Sequence, residues 1–180
     1  SMGALYADVV TNYPEHGSLS FSPFFAAINT FDPENIVPCI PGRSKPIIVH
    51  APSREAFKGT RDILACMEEL RSEGLDFELV RPQKMPNREL KQLLHLADIV
   101  IDALGCGGHG ILANEAMASG CVVLGINNSE ACPLPLHRPI IPVNRTNLKE
   151  QIRRAVLDVP FRRRVAEAGL EYVNAVHLPA

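Results

Sequence analysis

From Pro46 onward the chain alternates short apolar runs with amphipathic stretches of helical period, and this alternation constrains the fold more than any other feature. The runs are Ile47 to Ala51, Phe77 to Val80, Ile99 to Ala103, Cys121 to Gly125 and Ile140 to Val143. Each has strand length and is apolar almost throughout, as expected of parallel strands covered on both faces. The expectation is an α/β domain: a single Rossmann-like, doubly wound parallel sheet with helices on both faces.

The intervening stretches supply those helices. Ile63, Cys66, Met67 and Leu70 recur at helical spacing after Thr60, a candidate N-cap, and Gly74 ends the segment. Leu90, Leu93, Leu94 and Ala97 form a second stripe after Asn87, and Ile111 to Ser119 a third segment, broken by Gly120. Asn147 is placed to cap a helix bearing Leu148, Ile152, Ala155 and Val156. A last stripe runs through Phe161, Val165, Ala168, Tyr172 and Val176, which puts Arg162, Arg163 and Arg164 mostly on its wet face. Residues 1–45 differ: they are rich in Pro, Phe and Ser, carry one strand-like run from Leu5 to Val10, and read as an irregular lead-in to a domain spanning 46–180.

Composition removes several function classes. A formal net charge of -2 with interspersed signs gives no global case for nucleic acid or an anionic surface, so a phosphate ligand must be held locally. No run approaches the roughly 18 apolar residues of a membrane span, and the N-terminus lacks a signal-peptide pattern. Cysteines 39, 66, 106, 121 and 132 are odd in number and lack zinc-ligand spacing, which fits a reducing cytoplasm and no metal.

In such a sheet the C-terminal strand ends share one edge, and ligands bind along it. Four loops belong there: Pro52 to Gly59, Arg81 to Asn87, Leu104 to Gly110, and Ile126 to Leu136. The third holds Gly105-Cys106-Gly107-Gly108-His109-Gly110 and runs straight into a helix, whose first amides carry the positive end of its dipole. A diphosphate fits on Gly110, Ile111 and Leu112 without basic side chains. The spacing matches neither the dinucleotide fingerprint nor a Walker loop.

Glu115 lies one turn in, on the side of Ile111 and Leu112, within reach of a sugar hydroxyl beside the phosphates, although an isolated helix glutamate is more often merely solvated. Arg54 and Lys58 leave the first strand end, where either can neutralise a phosphate or stand as an ordinary surface cation. His50 and His109 are lone histidines, a class more often structural than catalytic. Cys106 has no base placed for it and reads as a small loop residue.

Taken together, His50-Ala51-Pro52-Ser53 with Lys58-Gly59-Thr60, Ala97-Asp98-Ile99-Val100-Ile101-Asp102 with Gly110, and Glu115-Ala116-Met117-Ala118-Ser119-Gly120 with Val122-Val123 resemble glycosyltransferase family 4 over about Ala7 to His177. The lead-in, through Ala7-Asp8-Val9-Val10 and Ala27 to Pro33, is similar to that family's interdomain linker.

The resemblance implies the C-terminal, donor-binding half of a GT-B enzyme performing retaining transfer from a nucleoside-diphosphate sugar to a glycan or lipid-linked acceptor. Its implied contacts are Lys58 on the diphosphate, Glu115 on the ribose, Met85 and Pro86 against the base, and Gly107, Gly108 and His109 with Gly110 around the phosphates. Lys58 and Glu115 are thus the implied catalytic-site pair. Two positions depart from the family pattern: Ser53 stands where its arginine is expected, with Arg54 one residue late, and Gly107 replaces the first of its paired glutamates.

The resemblance further implies no cofactor or metal, and an N-terminal acceptor-binding domain outside these residues. It places the protein in the cytoplasm, at the inner membrane surface where the acceptor is lipid-linked, with that other domain making the membrane contact. The alternatives are a sugar-nucleotide epimerase of similar architecture, a non-catalytic nucleotide-binding domain, and a receiver-type domain phosphorylated on Asp102. The last requires an acidic pair after the first strand, where this chain has His50-Ala51-Pro52.

Overall fold

Five parallel strands, β1 (Ile47–Val49), β2 (Glu78–Val80), β3 (Ile99–Ile101), β4 (Val122–Gly125) and β5 (Ile141–Pro142), form one sheet in the order β2-β1-β3-β4-β5. The computed structural model describes residues 36, 38–39, 41–104, 111–127 and 138–176. The run Leu5 to Val10 and the segment Ala27 to Pro33 lie outside them. Register aligns Ile48 with Ile99, Val49 with Val100, and Ile99 with Val122. Each strand lies within its expected run, shortened at one or both ends where the chain leaves the ladder. Pro142 has no N–H to give, which suits it to the edge strand it occupies.

Among the described residues six helices flank the sheet: α1 (Glu55–Lys58), α2 (Thr60–Ser72), α3 (Asn87–Leu94), α4 (Ile111–Ala118), α5 (Leu148–Leu157) and α6 (Val159–Val176). Alternating strand residues feed two cores. Ile48, Ile99, Ile101, Val122 and Leu124 pack against Ile63, Met67 and Leu70 of α2 and against Leu148, Ile152 and Ala155 of α5. Val49, Val100 and Val123 pack against Leu94 of α3, Ala113, Ala116 and Met117 of α4, and Tyr172 and Val173 of α6. Helices thus cover both faces, and the doubly wound architecture read from the alternation is the one observed.

Three local expectations are corrected. Thr60 is the first helical residue rather than the N-cap; Gly59 takes the cap position and the Thr60 hydroxyl is directed to His50. Asn147 makes no cap bond to α5, because its side chain turns back to accept from Asn144 N and donate to Pro142 O, at 2.7 and 3.1 Å.

Arg162 departs furthest from expectation, being 0% exposed instead of lying on the wet face. Its guanidinium donates to the carbonyls of Ala155 (2.8 Å) and Val156 at the end of α5 and to that of Arg43. The last turn of a helix has carbonyls without amide partners, and Arg162 supplies donors to them across the α5–α6 corner.

The chain just before β1 is tied to the domain. Cys39 N donates to Ser119 O at 3.0 Å, and Arg43 reaches the Asp98 carboxylate at 2.9 Å. Gly120 has φ of 81°, and a β-carbon there would lie 2.7 Å from Cys39 O, so the chain at Cys39 packs directly on the helix stop. Cys39, Cys66 and Cys121 are free thiols. Burial pushes the Cys121 thiol far up, which makes it an inert core group beside Leu94 O and Ala97 O.

Candidate functional site

The C-terminal edge of the sheet gathers several of the side chains singled out in the sequence. Its centre is an elbow between α1 and α2. Gly59 adopts φ of 69°, a left-handed conformation natural to glycine, and a β-carbon on it would meet Leu104 Cβ at 2.9 Å. With no side chain in the way, Leu104 N donates to Lys58 O at 3.2 Å, which joins the elbow to the segment leaving β3.

That contact sets the direction of Lys58. Its Nζ donates to Asp102 Oδ1 at 2.6 Å, with the lysine side chain 20% exposed and the aspartate 1%. Asp102 continues from the central strand β3, and its amide is bonded to Leu124 O at 2.9 Å, so the carboxylate is rigidly mounted. Beside it, His50 is buried: Nδ1 lies 2.8 Å from Ile101 O and Nε2 2.9 Å from Thr60 Oγ1. A carbonyl only accepts, so Nδ1 carries the proton and Nε2 receives the Thr60 hydroxyl. Burial holds this imidazole below the usual histidine range, which keeps it neutral, and His50 is therefore a strut under the elbow and not a proton donor.

Glu115 is 4% exposed on α4, not solvated. Its Oε1 accepts from Asn87 Nδ2 at 3.4 Å and lies 4.0 Å from Lys91 Nζ, both on α3. Ile111, the first residue of α4, is 50% exposed, and Leu112 behind it is half-buried, so the helix opens toward this edge.

Next to the elbow is a pocket of about 280 Å³ lined by Ala51, Pro52, Ser53, Pro82, Lys84, Met85 and Leu90. Apolar surfaces dominate its wall. Lys84 has a φ of 50°, the one non-glycine residue with positive φ among those described, and such conformations concentrate at functional sites. Arg81, just after β2, pairs with Glu55 of α1.

Of the sequence candidates, the structure brings together Lys58, Ser53 and Met85 around the β1 and β2 ends, with Glu115 on α4. Arg54 and Pro86 are exposed and hold helix-start positions, before α1 and α3 respectively. Gly107, Gly108, His109 and Gly110 lie outside the described residues, as does Cys106. Sequence reasoning missed Asp102 as the partner of Lys58, and Asn87 and Lys91 as neighbours of Glu115. A carboxylate ending an otherwise apolar strand was the available signal for the first.

Comparison with known proteins gives a likeness of fold. No protein-family model and no curated protein sequence matches the chain. Among solved structures, the C-terminal domain of a glycosyl transferase group 1 family protein, LpcC, from Francisella tularensis superposes with a TM-score of 0.58 at 18% identity, over 81% of this chain and 97% of that one. A variant of TarM from S. aureus, solved with fondaparinux, α-GlcNAc-glycerol and UDP, superposes with a TM-score of 0.61 at 11% identity, over 86% of this chain and 36% of that one. The chain thus has the fold of a C-terminal GT-B glycosyltransferase domain and spans about a third of the TarM chain. Among the described residues no helix is long and apolar enough to cross a membrane.

Proposed function

We propose that this chain is the donor-binding domain of a nucleotide-sugar glycosyltransferase. The observation that carries the reading is the placement of Lys58, the pocket at Ser53 and Met85, and Glu115 along the one strand-end edge where a doubly wound sheet receives ligands.

The chemistry assigned to each part follows from its position. The pocket takes the base, with Met85 and the prolines offering apolar surface. Glu115, an acceptor whose burial keeps it from bulk water, receives the ribose hydroxyls. The diphosphate lies between the Lys58 ammonium and the first amides of α4, at Ile111 and Leu112, joined by the amides of Gly107 to Gly110. As the glycosidic bond breaks, negative charge builds on that diphosphate, and donors already in place stabilise it without reorganisation.

Retention of configuration, a glycan or lipid-linked acceptor, and an N-terminal domain that binds the acceptor complete the proposal by resemblance to family 4. In that arrangement the donor domain alone transfers nothing, and the protein works in the cytoplasm or at the inner membrane surface. A receiver-type role for Asp102 is disfavoured, because its carboxylate is buried and held by Lys58, and β1 is followed by a neutral histidine instead of an acidic pair. Calorimetric titration with UDP, GDP and ADP tests the proposal. Saturable binding of one of them is expected, and no binding of any at millimolar concentration overturns it.

A further inference from the structure

The Lys58–Asp102 pair raises an electrostatic question that the donor reading leaves open. A lysine that grips a diphosphate would be most effective with its charge uncompensated, yet this ammonium already sits 2.6 Å from a carboxylate with almost no water around it. The carboxylate cannot swing away with its backbone, which is bonded to β4 through Leu124. The lysine backbone is fixed as well, since Leu104 N holds its carbonyl and Gly59 seats the elbow against Leu104, so the ammonium moves only by turning its own side chain.

We infer that Asp102 is a positioning residue that competes with the donor's diphosphate for the Lys58 ammonium and thereby limits how tightly the nucleoside diphosphate is held. This rests on the donor reading of the edge and adds a sign to it. A phosphate that reaches Lys58 Nζ brings its charge within a few ångströms of the Asp102 carboxylate, in a setting with little solvent to screen the repulsion. The ammonium is then shared between two anions. The consequence for turnover is that the nucleoside diphosphate left after sugar transfer is held weakly enough to depart, a step that often limits such reactions.

A purely structural role for Asp102 predicts the opposite sign, because a lysine released from its anchor would bind phosphate less well. Titration calorimetry of the full chain and of Asp102→Asn, each with UDP, GDP, ADP and the three parent nucleosides, separates the two. The expected result is a diphosphate affinity about ten-fold tighter in Asp102→Asn, for whichever nucleotide the native chain binds, with nucleoside affinity unchanged. An unchanged or weakened diphosphate affinity in a folded Asp102→Asn overturns the inference while leaving the donor reading intact. Failure of the native chain to bind any of the three diphosphates overturns both. Should Asp102→Asn not fold, Asp102→Ser removes the same charge with less bulk, and the same two outcomes decide.

Discussion

Gly59 and Leu104 approach each other so closely that the α1–α2 elbow and the segment leaving β3 act as one piece: a β-carbon on Gly59 would stand 2.9 Å from Leu104 Cβ, at a φ of 69°. The contact couples the elbow's backbone geometry to Lys58, because the hydrogen bond from Leu104 N to Lys58 O depends on it. Gly59→Ala combines a disfavoured φ with a steric clash. It is expected to destabilise the chain by about 1–3 kcal/mol and to weaken nucleoside-diphosphate binding together with stability. Urea unfolding followed by calorimetry checks this; native-like stability would mean that the elbow relaxes freely.

Much of this fold is legible in the sequence, and the illegible parts share a cause. Ile99, Val100 and Ile101 announce a strand buried on both faces, and Ile63, Met67 and Leu70 announce the helix that covers it, because periodicity records burial directly. Arg162 could not be placed from its own helix, since its burial depends on the angle of the α5–α6 corner and on carbonyls of another helix. The Lys58–Asp102 bond joins residues 44 apart, and no local pattern reports a pairing of that kind. Glu115 was singled out in the sequence from its place one turn into α4 and from the family motif, while its contacts with Asn87 and Lys91 depend on how α3 lies against α4.

Lys58→Met tests the pair from the other side. The substitution keeps much of the stem but removes the ammonium facing a carboxylate that is 1% exposed. A stability loss of about 3 kcal/mol is expected, larger than for Lys45→Met, whose partner Asp76 is exposed. Equal losses in chemical denaturation would show that the Lys58 pair behaves as a surface pair.

His50 supplies a pH dependence. Its folded-state pKa is depressed by burial below the ordinary 6.5, so the unfolded chain binds a proton in a range where the folded chain does not. Stability therefore rises with pH through the window just below 6.5 and is lost as the solution is acidified, by at most about 1.4 kcal/mol per pH unit from this one group. His50→Asn keeps a donor for Ile101 O and cannot titrate, so its stability between pH 7 and pH 5 should fall less steeply than that of the native chain. Parallel slopes would place the depressed group elsewhere.

Arg162→Met retains bulk and removes the donors that reach Ala155 O, Val156 O and Arg43 O. Buried carbonyls left without partners cost about 1–3 kcal/mol, and a loss at the upper end is expected because one side chain serves three of them. Arg163→Met and Arg164→Met, on exposed positions of the same helix, should each change stability by less than about 0.5 kcal/mol. Thermal unfolding of the three variants side by side distinguishes a structural arginine from a basic surface cluster.

The assignment of Glu115 to the ribose has a sharper test than loss of binding. Glu115→Gln preserves shape and can still hydrogen-bond Lys91 and Asn87 through its amide oxygen, but removes the charge that favours accepting from two adjacent hydroxyls. A ribonucleoside diphosphate should then bind about ten-fold more weakly, while its 2′-deoxy counterpart, which lacks one of those hydroxyls, should lose less. The ratio of the two affinities, measured by calorimetry in native and variant chains, isolates the contact from any general loosening of α4 against α3. If both nucleotides weaken equally, Glu115 holds the helices together and the ribose is bound elsewhere on the edge.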